Sequence, residues 1–250
     1  VIERPVKKLI GFSGSEVWLM ENQHGPFIRK TGQAARNIER LRYLEDIGLR
    51  VPRILKVGDD SYDMEYITHQ DTKTWLERNN PDSMISWIRS TIELFKSTST
   101  TKDYRSVYSN KLSWIDSTNI AGKLPFGSKE LIDRLPAYLP CGPYHGDLSM
   151  ENILCTEDGF ALIDPLTSEY DGWVFDLGKL RQDLECGWFV RDDRPTIDSK
   201  RKVMCEMLAR EYPQAWSPEI LIAMLIRVLA YAIGKPEEHW ILKEIHRLWK

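Results

Sequence analysis

The sequence predicts an α+β protein, with an antiparallel sheet and one helix towards the N-terminus followed by a mostly helical C-terminal part. Three observations lead there. Between Leu9 and Lys30, strand-like apolar runs are punctuated by small and polar turns. Beyond Thr68 the apolar residues recur at helical spacing instead. Within that helical part, Ile153-Leu154-Cys155 and Phe160-Ala161-Leu162-Ile163 flank a turn at Asp158-Gly159, the pattern of a β-hairpin. Strands gathered at one end and helices at the other make an α+β arrangement rather than alternating βαβ units.

Taken in order, the first segment reads as strand, small-residue turn, strand, a turn at Asn22-Gln23-His24-Gly25, and a third strand ending near Lys30. From Gln33 to Ile47 the apolar positions Ile38, Leu41, Leu44 and Ile47 predict a helix, with Gly48 as its C-terminal cap. Val51 to Leu55 leads into Tyr62-Asp63-Met64-Glu65-Tyr66-Ile67. Asp82 to Ser97 places Ile85, Ile88, Ile92 and Phe95 on one stripe and predicts a core helix. Thr98 to Lys123 is polar and poorly periodic, and no element is assigned to it. Ser128 to Leu139 predicts a helix interrupted by Pro136. In the tail, helices are expected from Asp198 to Glu211, from Ser217 as N-cap with Pro218 in first position to Gly234, and from Pro236 or Glu237 to the end.

Chemistry concentrates in Tyr144-His145-Gly146-Asp147-Leu148-Ser149-Met150-Glu151-Asn152 and, after the hairpin, in Ile163-Asp164-Pro165. An Asp, an Asn five positions on, and a second Asp beyond a hairpin have the spacing of a phosphoryl-transfer site. Asp147 would accept the proton of an attacking hydroxyl. Asn152 and Asp164 would hold magnesium, a hard cation that takes oxygen ligands.

Those residues carry a family resemblance. Asp-x-x-x-x-Asn follows the catalytic-loop pattern of protein kinases, but His145-Gly146-Asp147 stands where they have His-Arg-Asp, and Ile163-Asp164-Pro165 replaces Asp-Phe-Gly. His-Gly-Asp with Ile-Asp resembles the aminoglycoside phosphotransferase and choline kinase group, small-molecule kinases of the protein kinase-like superfamily. The resemblance implies a bilobal protein-kinase-like fold, with residues 1–67 as a nucleotide-binding lobe ending at a hinge and 68–250 as a catalytic and substrate-binding lobe. It also implies a nucleotide site. Gly11 to Val17 lies where such kinases place a phosphate loop, so Ser13, Gly14, Ser15 and Val17 would approach the phosphates, although the three glycines of the protein-kinase loop become Ile10, Phe12 and Ser15. Phe27-Ile28-Arg29-Lys30 resembles the strand with the phosphate-binding lysine. Alternation puts Ile28 and Lys30 on one face, so Lys30 is preferred to Arg29. Glu39 is the candidate acid to pair with it, with Glu45 as the competing choice. Backbone groups of Glu65 and Ile67 would meet the adenine edge, and Leu154 and Ile163 complete the implied cofactor-binding set.

Further on, Asp176 in Trp173-Val174-Phe175-Asp176-Leu177 matches an Asp of the same group and is expected to cap a helix or brace the catalytic loop. Only twelve positions separate Asp164 from Asp176 and no Ala-Pro-Glu follows, so the long activation segment of protein kinases has no room. Trp188, Phe189, Arg191, Asp192 and Asp193 are candidates for lining the acceptor pocket.

Bulk numbers narrow the partners. A net charge of -3 and pI near 6.0 leave no footprint for nucleic acid or an anionic membrane. The run from Ile220 to Ala232 is too short to span a membrane and carries Arg227. Four scattered cysteines without a Cys-x-x-Cys pair, and no signal-peptide pattern, point to a reduced, cytoplasmic protein. The oligomeric state is left open. The function expected is an ATP- and Mg2+-dependent kinase, with GTP left open as donor, acting on a hydroxyl of a small molecule. Residues 186 to 250 contain 11 Lys plus Arg against 9 Asp plus Glu, which favours a sugar or polyol, such as one used in cell-surface polysaccharide synthesis, over a polycationic aminoglycoside. A choline-like amine stays open because Trp and Tyr hold quaternary ammonium. The reading from another class is a nucleotide-binding pseudokinase.

Overall fold

The computed structural model describes residues 2–9, 16–32, 34–190 and 195–250. The chain forms two compact units, one of residues 1–75 with 151–167 and one of residues 76–150 with 168–250. The expected lobe boundary at 67/68 follows chain order, whereas the hairpin at 153–162 groups with the N-terminal sheet.

The first unit is built on a five-stranded antiparallel sheet in the order β1-β2-β3-β5-β4, from β1 (Arg4–Leu9), β2 (Val17–Asn22), β3 (Gly25–Thr31), β4 (Ile54–Val57) and β5 (Ser61–Glu65). The Asn22 to Gly25 turn closes β2 on β3: Asn22 pairs with Gly25, the His24 amide donates to Asn22 Oδ1 at 2.8 Å, and Gly25 takes φ 111° at no steric cost. Helix α1 (Ala34–Asp46) ends where expected. Gly48 adopts φ 94°, and Leu49 N–H returns to Leu44 C=O at 3.0 Å. Short helix α2 (Thr72–Arg78) follows β5.

The second unit opens with α3 (Asp82–Ser97), whose Ile85, Ile88, Ile92 and Phe95 are buried as the periodicity predicts. The stretch without an assigned element contains β6 (Thr100–Asp103) and α4 (Arg105–Leu112), followed by two short 3-10 turns. The helix expected from Ser128 to Leu139 is shorter than that: α5 (Ser128–Arg134) stops before Leu135, which is extended at ψ 140° because a residue preceding proline is pushed out of the helical region. The remainder becomes β7 (Tyr138–Cys141), paired with β6 in register Thr100↔Cys141.

Hairpin strands β8 (Ile153–Thr156) and β9 (Gly159–Leu162) pair Ile153↔Leu162 through Thr156↔Gly159 as expected, with Gly159 at φ 132°. Helices α6 (Trp173–Leu184), α7 (Pro195–Glu211), α8 (Pro218–Ala232) and α9 (Pro236–Leu248) complete the chain. Ser217 caps α8, its hydroxyl accepting from Ile220 N–H at 3.3 Å, and Pro218 sits in the first turn. Phe189 is buried in the core, while Trp188 is half-buried and packs against Trp240 at 5.0 Å between centroids. Arg191, Asp192 and Asp193 lie outside the described residues. Among those described, no helix is long and apolar enough to cross a membrane.

Candidate active site

Two constellations gather the candidate residues, one in each unit. In the first unit, antiparallel register decides which strand residues share a face, because directly opposed residues point the same way. Lys30 lies opposite Val17 on β2 and Tyr62 on β5, and Ile28 lies opposite Leu19 and Met64. Val17, Ile28 and Lys30 therefore stand on one face of the sheet. Arg29 stands on the other, where it is held by Asp63 at 2.7 Å and Glu3 at 2.6 Å. Those carboxylates raise the guanidinium's pKa, so Arg29 is fixed as a permanent structural cation. Strand alternation thus separates the two basic neighbours as expected, with Lys30 on the face of Ile28.

Lys30 is 3% exposed and its ammonium donates to Asp164 Oδ1 at 2.7 Å. A lysine seldom sits so deep without a partner. The expected acid from the helix does not meet it: Glu39 and Glu45 are both exposed on α1, and the ammonium is met by Asp164. Helix α1 turns Asn37 inwards instead, and the Asn37 side chain bonds the Tyr62 phenol. Burial first, and the Asp164 carboxylate second, push the Tyr62 hydroxyl well above its ordinary range, so it remains a neutral donor beside the ion pair. No periodicity signals Asn37 or Tyr62 as partners; only the register Lys30↔Tyr62 brings them in.

Asp164 is the one non-glycine at positive φ among the described residues, at 55°. Asp tolerates that left-handed region better than most side chains, and such conformations cluster at functional positions. The chain leaves β9 there. Asn152 ends the short turn before β8, and its carbonyl accepts the Ile163 amide at 3.0 Å, which extends the hairpin pairing by one rung. Asn152 and Asp164 thus flank the open end of one hairpin, two hard oxygen donors on neighbouring strands.

The same unit gathers an apolar cluster. Ile67, Leu154 and Ala161 are buried together with Ile163 packed against them, so three expected cofactor-binding residues meet although they come from the end of β5 and from both hairpin strands. Glu65 N–H donates to Arg53 C=O at 2.9 Å, its carboxylate is bound by the Arg53 side chain at 3.1 Å, and Ile67 C=O lies 2.7 Å from His69 Nδ1. Ser13, Gly14 and Ser15 lie outside the described residues.

In the second unit, the candidate catalytic loop is held by helix α6. Asp176 accepts the amides of His145 at 2.5 Å and Gly146 at 2.7 Å, and Asp183 accepts that of Met150 at 2.7 Å. Both aspartates are almost fully buried, as is His145, and a carboxylate bonded to buried amides makes strong, charge-assisted contacts. The expected brace at Asp176 is present. Asp183, a second brace, was not singled out; its signal is the seven-residue interval from Asp176, which returns to the same side of a helix.

Asp147 lies between those braces. Lys179 of α6 approaches its Oδ1 to 3.3 Å, and Arg227 of α8 donates to Gly146 C=O at 2.8 Å. Gly178 permits that approach of α8 to α6, since a Cβ there would meet Ile220 Cγ2 at 2.8 Å. Burial pushes the Asp147 carboxyl up, but Lys179, Arg227 and His145 outweigh it and hold the group below its usual 3.8. Asp147 is therefore ionised across the neutral range.

The sequence matches the family model of the phosphotransferase enzyme family, APH, over residues 11–203. No curated protein matches significantly. Among solved structures, a thermostable mutant of the aminoglycoside phosphotransferase APH(4)-Ia in its apo form is similar with TM-score 0.70 and 10% identity, over 98% of this chain and 94% of that one. A ternary complex of that enzyme with ADP and hygromycin B gives TM-score 0.63 and 10% identity, over 97% and 92%. Choline kinase from Cryptosporidium parvum Iowa II gives TM-score 0.58 and 13% identity, over 98% and 88%. At such identities the likeness is one of fold.

Proposed function

The chain belongs to the phosphotransferase enzyme family and is a small-molecule kinase; from that premise we propose that it transfers the γ-phosphoryl group of ATP to a hydroxyl of an uncharged sugar or polyol, with Asp147 as the base. The observation that carries the proposal is the setting of Asp147, an ionised carboxylate whose loop is braced by Asp176 and Asp183. Phosphoryl transfer asks for positioning and charge neutralisation more than for covalent help from the protein. A braced acceptor of a hydroxyl proton, ionised at neutral pH, suits that demand.

In this proposal residues 1–67 are the nucleotide-binding lobe and 68–250 the catalytic and acceptor-binding lobe. Lys30 takes the α and β phosphates, Val17 and Ile28 on the same sheet face adjoin the nucleotide, and Ile67, Leu154 and Ile163 offer the adenine an apolar bed. The Glu65 carbonyl and the Ile67 amide meet its polar edge, since the Glu65 amide and the Ile67 carbonyl are otherwise engaged. Asn152 and Asp164 have the oxygen donors that suit magnesium, which would neutralise charge on the phosphates when bound. Lys30 and Asp164, paired with each other in this structure, would hold the phosphates and the cation respectively when these are bound.

The acceptor class follows from charge. Residues 186 to 250 hold 11 Lys plus Arg against 9 Asp plus Glu, without the acidic excess that would receive a polycation. A polycationic aminoglycoside or a quaternary amine is disfavoured there, and a neutral polyol is not. ATP consumption measured against panels of neutral sugars and polyols, amino alcohols and aminoglycosides tests the assignment. Turnover confined to neutral acceptors is the expected result; turnover confined to the cationic panel, or to none, contradicts it.

A further inference from the structure

Of the charged side chains on helix α6, Asp176, Lys179 and Asp183 recur at intervals of three and four residues, so they line one side of the helix. All three reach the same loop. The two aspartates take backbone amides at its ends, and Lys179 takes the Asp147 carboxylate between them. The Lys179 side chain is 13% exposed, whereas a surface pair such as Lys129 with Asp133 has 86% and 60% exposure. Ordering and drying an ammonium costs free energy that an ordinary surface pair does not recover.

Electrostatically this lysine makes Asp147 a weaker base, a handicap if proton affinity were what the loop supplied. In a loose transition state the direction of the carboxylate matters more than its affinity for the proton. We infer that Lys179 is a positioning residue: by holding Oδ1 it fixes the plane of the Asp147 carboxylate, and with it the direction from which the group meets the acceptor hydroxyl. The inference rests on the assignment of Asp147 as the base. The charged groups that face Asp147 are Lys179 from α6, Arg227 from α8 and His145 from the loop itself. Arg227 acts on the Gly146 carbonyl while Asp176 acts on the Gly146 amide, so the peptide preceding Asp147 is fixed independently of Lys179. What Lys179 adds is orientation of the side chain alone.

The full chain and its Lys179→Met, Lys179→Gln, Lys179→Arg and Asp147→Asn variants are compared in two measurements. One is turnover of magnesium-ATP with water in place of the acceptor. The other is the titration of aspartate carboxyl carbons by NMR, the Asp147 signal being the one missing in Asp147→Asn. Lys179→Met is expected to lower kcat about ten- to a hundredfold with KM for ATP nearly unchanged, and to raise the Asp147 midpoint by about one to three units. Lys179→Arg is expected to restore most of both, and Lys179→Gln, which tolerates water should the apolar residue unsettle α6, to fall between. A folded Met or Gln variant with wild-type kcat overturns the inference, as does an Arg variant no better than Met, which would mark a packing role. Undiminished turnover in Asp147→Asn would remove the base assignment itself, whereas a dead Asp147→Asn beside a fully active Lys179→Met would remove only the role of Lys179.

Discussion

Asp164 and Asp147 are each paired with a lysine, but the two pairs are built in opposite ways. In the first unit the lysine is the buried partner, at 4% side-chain exposure against 42% for Asp164. In the second unit, both partners are largely covered, at 13% for Lys179 and 26% for Asp147, and the loop behind the acid is tied by two further carboxylates. The difference matches the work proposed for each. A carboxylate that must trade a lysine for a metal ion has to be accessible and loosely held, whereas one that must point at a hydroxyl is better immobilised.

Substitutions can break this contrast. The largest effect is expected from Asp147→Asn, which removes the proton acceptor while keeping the shape: transfer should fall about a hundred- to ten-thousandfold, with nucleotide affinity by calorimetry close to wild type. Next comes Asp176→Ala, which orphans the buried amides of His145 and Gly146. At about 1–3 kcal/mol for each unsatisfied group, urea denaturation should show a loss of about 2–6 kcal/mol. Lys30→Met should cost under about 1 kcal/mol in the same assay, because the acid left behind is already well hydrated, yet it should weaken ATP binding severely. Equal stability losses for Asp176→Ala and Lys30→Met would erase the distinction between a braced site and a yielding one.

How much of this was legible beforehand depends on how local the cause is. The turn at Gly25, the hairpin around Gly159, helix α3 and the cap of α8 are encoded within a few residues of where they form, and each stands where the sequence puts it. Thr100 to Asp103 gave no signal because its strand exists only by pairing with Tyr138–Cys141 about forty positions away, and the same pairing drew residues after Pro136 out of the expected helix. In the candidate site, the parity argument placed Lys30 on the face of Ile28 because strand alternation is a local rule. It could not find the partner, since the choice among Glu39, Glu45 and Asp164 is settled by tertiary packing. Asp183, Lys179 and Arg227 had the spacing of an ordinary helix surface until the loop was laid against α6.

Smaller effects sharpen the contrast through pH. A carboxyl held below its unfolded value contributes stability above that value and loses it as pH falls through the lower, folded one. For Asp147 that window lies beneath 3.8, so the acid limb of kcat should appear only below about pH 4, and a limb near neutrality would contradict the ionised setting. The smallest effect concerns Cys155, whose thiol is buried and pushed up to about 11. Peptide mapping after alkylation at pH 8 should find Cys141 modified well before it.

The central claim meets its most direct test in transfer of label from γ-labelled ATP to a neutral polyol, measured for wild type and Asp147→Asn with and without magnesium. Label on the polyol only with wild type and magnesium is the expected outcome. Label carried by the protein, by a cationic acceptor alone, or equally by the Asp147→Asn variant would contradict it.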